Sequence, residues 1–261
     1  MITNKKLVIS HNHWEFYHFA KAISYGDRRP PQCVRAGPKQ NKLENRKLSF
    51  RRSKKNLRRL VNTNAKTING PNGEKYTFKF LTLTFKEELQ DIKKANYLFK
   101  KFIQRFSYHI YKKENKLMYV AVIEFQKRGA IHYHLILFNI PYTKAKIINK
   151  IWSRTCEGGV HIKKIDNVQN IGSYICKYMS KNLDDARLCG EKAYFTSRNL
   201  EKPKIICDWK FIEIIEEMLP EKDKLYEMDF DSKFCGKSTY ALYNLTDNQK
   251  IKNQALAFLR L

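Results

Sequence analysis

The chain is poor in acid. Only 25 aspartates and glutamates face 51 lysines and arginines, a formal net charge of +26 over 261 residues. Long apolar runs are also missing. No stretch of about 18 apolar residues exists, which excludes a membrane-spanning helix. The opening MITNKKLVIS is too polar for a signal peptide, so a soluble protein of a reducing cytoplasm is expected (a host's, if the protein is viral). Cysteine is sparse and scattered, at 33, 156, 176, 189, 207 and 235. No pair has metal-ligand spacing, and a disulfide framework is not expected in so long a chain, so these read as packed thiols. There is no internal repeat. Cys235-Gly236-Lys237-Ser238 imitates the end of a phosphate-binding loop, but Asp231 stands where the first glycine is required. No ATPase or helicase domain is therefore expected.

What the chain has is positive charge and core-forming residues. Hydrophobic residues make up 43% and aromatics 13%, enough for one catalytic domain with extensions or for two small domains. The charge points to nucleic acid, although a ribosomal or packaging protein would be equally basic. RRSKKNLRR (51–59) concentrates six basic residues in nine. It reads as a helix or arm laid on phosphates through Arg51, Arg52, Lys54, Lys55, Arg58 and Arg59, or else as a solvated basic face.

Residues 1–75 are basic, turn-rich and without clear periodicity. Then FKFLTLTF (78–85) alternates as a strand, and 88–112 repeats Leu89, Ile92, Leu98, Phe102 and Phe106 at helical spacing. LMYVAVIEF (117–125) and IHYHLILFN (131–139) read as an antiparallel pair. A helix opened by Pro141 and Thr143 and running through Trp152 follows, then a short strand at 158–165. Asp166 or Asn167 can cap a last helix to about Lys181. The order βαββαβ plus one helix predicts an α+β fold: an antiparallel ferredoxin-like sheet with helices on one face. The expected division is a basic N-terminal extension (1–75), a catalytic domain (76–200) and an accessory C-terminal segment (201–261). The accessory N- and C-terminal segments include an acidic stretch from Glu213 to Asp231.

Three segments could carry chemistry. His132-Tyr133-His134 lies on a strand, so its two imidazoles share a face. Paired neutral imidazoles can hold a divalent metal, although two satisfied sheet histidines would be spelled the same way. Glu124 on the preceding strand is a candidate third ligand. A three-residue loop Lys127-Arg128-Gly129, with the glycine left-handed, sets Glu124 opposite His132; a two-residue loop would turn it to the other face. The third segment runs from Ile171 to Lys181. Tyr174 and Tyr178 stack one helical turn apart, with Lys177 and Lys181 each three residues further on. A phenol needs help to attack a phosphodiester at neutral pH, and nearby cations favour the phenolate. An ordinary amphipathic helix would show the same spacing. His11-Asn12-His13 and His161 are lesser candidates.

Together these segments resemble the HUH endonucleases, specifically the rolling-circle replication initiators of the microvirus type. Motif one looks like FLTLT, Phe80 to Thr84. Motif two, His-hydrophobic-His, looks like His132 to His134, with Tyr133 more amphipathic than usual. Motif three, U-x-x-Y-U-x-K-Y-U-x-K with U hydrophobic, is matched at every specified position from Ile171 to Lys181. The basic segment RRSKKNLRRLVNTNA resembles one upstream of motif one in such proteins. The resemblance implies Mg²⁺ or Mn²⁺ at His132 and His134, to which the hairpin register adds Glu124 as candidate third ligand. It implies nicking of one DNA strand at a replication origin, a 5′-phosphotyrosine at Tyr174 or Tyr178, and later rejoining. Thr82, Thr84 and Arg128 are expected to touch the single-stranded DNA. The 3′-hydroxyl would prime a host DNA polymerase, with a host helicase unwinding ahead of it. A plasmid initiator, relaxase or single-strand transposase would use the same chemistry. A non-catalytic single-stranded-DNA-binding protein would share only the charge and aromatics.

Overall fold

The computed structural model describes residues 2–24, 42–66, 68–70, 73, 75–76, 78–112, 116–163, 165, 170–181, 185–188 and 191–259. The elements in chain order are β1 (Ile2–Ser10), β2 (His13–Ser24), α1 (Lys42–Asn64), β3 (Ile68–Asn69), β4 (Lys75–Tyr76), β5 (Lys79–Thr84), α2 (Ile92–Tyr111), β6 (Tyr119–Phe125), β7 (Ile131–Leu137), α3 (Ala145–Cys156), β8 (Gly159–Lys163), α4 (Ile171–Ser180), β9 (Phe195–Thr196), β10 (Lys204–Ile206), α5 (Trp209–Met218), β11 (Lys224–Ser232), β12 (Gly236–Asn244) and α6 (Gln249–Phe258). They form two compact units, Lys42–Glu201 and the discontinuous pair Met1–Asn41 with Lys202–Leu261. The expected N-terminal extension reached to residue 75; here residues 42–75 belong to the central unit.

The central unit is α+β. Its five-stranded antiparallel sheet runs β8-β5-β7-β6-β9. Four of these strands come from the βαββαβ segment, in the spatial order fourth, first, third, second. That is the ferredoxin-like arrangement expected from alternating strand and helix periodicities. Asp91 starts α2 by accepting from the Lys93 and Lys94 amides, so the helix begins after Leu89. Buried Phe99, Phe102 and Phe106 of α2 and Trp152 of α3 pack on Leu81, Leu83, Ile123, Tyr133 and Leu135. The opposite face is covered by α1 and α4, whose Leu57, Val61, Ile171, Ile175 and Met179 meet Phe80, Val120, Val122 and Ile136. Asn170, accepting from the Ser173 amide at 2.9 Å, caps α4. The alternative caps Asp166 and Asn167 lie outside the described residues.

The discontinuous unit holds a second antiparallel sheet, β10-β1-β2-β12-β11. One face carries α5 and α6 over Leu7, Ile9, Trp14, Phe16 and Tyr243. Two local features of the sequence resolve here. His11-Asn12 is the turn of the β1–β2 hairpin, with His11 at φ 56°. Lys233 to Cys235 form the turn between β11 and β12, and Gly236, at φ 66°, opens β12, so the sequence imitating a phosphate-binding loop forms part of a hairpin. Among the described residues, Cys156, Cys176, Cys207 and Cys235 are free thiols. No helix among the described residues is long and apolar enough to cross a membrane.

Candidate active site

The hairpin β6–β7 sets the site. The Gln126 amide donates to Ala130 O at 2.9 Å and the Gly129 amide to Gln126 O at 2.8 Å, closing the loop Lys127-Arg128-Gly129. Gly129 sits at φ 90°, a conformation that costs glycine little and other residues much. The resulting register pairs Glu124 with His132 and Val122 with His134. On the other side of β7, Thr84 pairs with His132 and Thr82 with His134. Alternation then puts Glu124, His132, His134, Thr82 and Thr84 on one face. Tyr133 points the other way. Its ring stacks on Phe99 at 4.5 Å and its hydroxyl donates to Asn96 Oδ1 at 2.6 Å. Asn96 is what makes an amphipathic residue tolerable at this core position.

His134 is buried, and both of its ring nitrogens are engaged. Nε2 contacts Glu124 Oε2, and Nδ1 lies 3.1 Å from Thr82 Oγ1. Glu124 Oε1 accepts from the Lys181 ammonium at 2.5 Å. Burial alone would raise the Glu124 pKa, but the His134 and Lys181 contacts outweigh it and hold the carboxyl at about 2. His132 is half-buried, with Nδ1 3.4 Å from Gln126 Nε2. Desolvation is the largest influence on its pKa; His134 and Arg128 add to it, Glu124 opposes, and the net effect is downward. The ring is thus kept neutral, the state in which an imidazole binds a metal.

Helix α4 brings the phenols to this face. Gly172 and Cys176, one turn apart, lie against α1. The Gly172 amide donates to Asn62 Oδ1 at 2.8 Å, and a Cβ there would sit 2.3 Å from Arg58 O. Asn62 also donates to the capping residue Asn170 at 3.1 Å. Ile175 and Met179 face the sheet, which leaves Tyr174 and Tyr178 beside Phe80 at 5.2 and 5.3 Å between ring centroids. The Tyr178 ring lies 3.9 Å from the His134 ring, and the two phenol oxygens are 3.2 Å apart. Burial is the main cause of a raised Tyr178 pKa, with the Tyr174 contact next and the Glu124 charge adding to it. Lys181 Nζ stands 5.2 Å from the Tyr178 ring centre.

The structure gathers His132, His134, Glu124, Thr82, Tyr174, Tyr178 and Lys181. It leaves Lys177 exposed on α4, without a contact to either phenol among the described residues. The cation beside Tyr174 is instead Lys163 of β8, 5.9 Å from the ring centre. The strand GVHIK carried a signal for it, since Gly159, His161 and Lys163 alternate onto the same face. His161 lies opposite Thr82 and is exposed. Thr84 donates to Gly159 O at 3.1 Å, and exposed Arg128 pairs with Glu88 at 3.0 Å. On α1, Arg51, Arg52 and Lys54 are exposed, while Lys55, Arg58 and Arg59 are half-buried. His11 lies in a hairpin turn and His13 begins β2 in the other unit.

Among the described residues, no three His, Cys, Asp or Glu groups stand in position to hold a metal ion. The chemistry of the donor set nevertheless fits one. Two imidazoles and a carboxylate share a face, and the carboxylate already holds a cation, the Lys181 ammonium.

Fold and site together define an α+β unit with paired histidines on a central strand and paired tyrosines on an overlying helix. Residues 78–183, from the start of β5 to just past Lys181, match the family model for replication-associated protein ORF2. This match supports a rolling-circle replication initiator family for the segment that carries the site. No curated protein and no solved structure matches the chain.

Proposed function

We propose that this protein is a rolling-circle replication initiator that nicks one DNA strand at an origin and rejoins it through a tyrosine nucleophile. The observation that carries the proposal is the close packing of the Tyr178 ring against His134, with Glu124 joining that histidine to Lys181. The match of residues 78–183 to a replication-associated family supports the same reading.

His132, His134 and Glu124 would hold Mg²⁺ or Mn²⁺, whose positive charge would polarise the scissile phosphate and stabilise its developing negative charge. The chain's own groups do the rest. The Tyr178 oxygen, as phenolate, attacks phosphorus; the bond to the 3′ oxygen breaks, and that oxygen takes up a proton from water, balancing the one the phenol gave up, which leaves a 5′-phosphotyrosine and a free 3′-hydroxyl. Burial keeps Tyr178 protonated at rest, so the phenolate must form during reaction, with Lys181 as the neighbouring positive charge. Tyr174, within hydrogen-bond reach of the same oxygen, is placed to serve as second nucleophile at the regenerated junction. The phosphotyrosine bond conserves the energy of the broken diester, so rejoining needs no nucleotide cofactor.

Incubation with Mn²⁺ and single-stranded origin DNA, followed by denaturing gels, tests this. Tyr174→Phe and Tyr178→Phe should each retain some covalent adduct, and the double substitution should form none. An adduct in the double variant, or undiminished cleavage by His132→Ala in EDTA, would refute the assignment.

A further inference from the structure

The central unit contains a groove of about 900 Å³ on the α2 side of the sheet, between α2 and the segment 192–199 that pairs with the outer edge of β6. This volume lies within the range of small-ligand sites. Its wall is aromatic: Phe99, Tyr119 and Phe195 line it, with Phe99 in ring contact with the other two at 5.9 and 5.8 Å. Its lining also includes three cations, Lys100, Lys192 and Arg198, all exposed. Among the described residues no carboxylate lines the groove, and none of the three cations is ion-paired. The Gln104 amide, also in the lining, has no hydrogen-bond partner among the described residues.

Unpaired positive charge around an aromatic wall fits a ligand that is anionic at intervals and flat between them. We infer that this groove binds a segment of single-stranded DNA, its bases against Phe195 and Tyr119 and its phosphates at Lys100, Lys192 and Arg198. The inference rests on the reading of the protein as a single-strand enzyme, but the groove is separate from the nicking site. It opens on the opposite face of the sheet from His132 and His134, and Tyr119 and Glu124 are five residues apart on β6. At about 3.3 Å per residue that is roughly 17 Å along the strand. A strand held here would be anchored without its phosphate being cut.

The test is fluorescence anisotropy of a labelled 30-nucleotide oligo(dT) across a range of salt concentrations. The full-length protein is compared with Lys100→Ala/Arg198→Ala, with Phe195→Leu, and with the remote surface control Lys146→Ala/Lys150→Ala. The groove pair should bind about tenfold more weakly, and its log–log salt slope should fall by about 1.4, at ~0.7 per lost single-strand phosphate contact. Phe195→Leu should bind at least about fivefold more weakly with the salt slope unchanged, as loss of stacking requires. The control pair should stay near wild type. Equal affinity and slope in the groove pair and the control pair would overturn the inference. A parallel adduct assay on the wild type separates the two readings. No adduct, with groove-dependent binding intact, would remove the nicking assignment and leave the groove standing.

Discussion

At the scale of single residues, the site is a chain of contacts: Thr82 to His134, His134 to Glu124, Glu124 to Lys181. Thr82 was expected to touch DNA, yet its hydroxyl lies against His134 Nδ1. A hydroxyl can donate to or accept from a ring nitrogen, so it can fix the ring in either tautomer, which a methyl cannot do. Thr82→Val should therefore lower nicking by about ten- to a hundredfold, the usual cost of losing such a support, and Thr82→Ser should restore most of it. Equal rates for Val and wild type would remove Thr82 from the site. Glu124 makes a second prediction. Its carboxyl is held at about 2, below the ordinary 4.5. A lowered carboxyl pKa contributes stability that is full above about pH 4.5 and is lost as pH falls toward 2. Denaturant unfolding in EDTA should show Glu124→Gln less stable than wild type at pH 7, with the gap closing as pH falls from about 4.5 toward 2. A gap independent of pH would mean that the carboxylate contacts do not form. Some of this was readable beforehand: loop length and one glycine determine that Glu124 faces His132. Asn96 and Asn62 were not readable, because each serves a partner more than 35 residues away and neither has a local pattern.

At the scale of elements, the βαββαβ order was legible because periodicity switches cleanly between two and 3.6 residues from 78 to 181. The hairpin β1–β2 was not. β2 begins HWEFYHF, a stretch buried at six of its seven residues, so alternation vanishes there. Its second neighbour, β12, lies more than 200 residues along the chain. The basic helix α1 was legible as charge but not as a packing partner of α4, since Gly172 gives no sign in sequence of what approaches it. That approach is testable. In an ordinary helix interior, Gly→Ala stabilises by about 1 kcal/mol. At Gly172 the new methyl would meet Arg58 O at 2.3 Å, and overpacking of this kind typically costs about 1–3 kcal/mol. Gly172→Ala should lower the unfolding free energy by that amount and weaken nicking as α4 shifts. A gain in stability would show that α1 and α4 do not pack at this point.

At the scale of the whole molecule, chain connectivity and core formation separate. The chain leaves the discontinuous unit after residue 41 and re-enters it at 202, where β10, β11 and β12 complete a sheet begun by β1 and β2. Composition could not reveal this, because pairing between the two ends leaves no mark in any local window. The consequence is that residues 42–201 contain their own two-sided core, with, among the described residues, sixteen buried on one face of the sheet and fourteen on the other, together with every side chain of the candidate site. A fragment of that span should therefore fold without the rest. It should show one cooperative thermal transition and native-like circular dichroism, and it should form the tyrosine adduct with short single-stranded DNA. An unfolded or aggregated fragment would mean that residues 1–41 and 202–261 supply part of the stability that these two cores are here credited with. A folded fragment unable to form the adduct would place an essential part of the reaction outside residues 42–201.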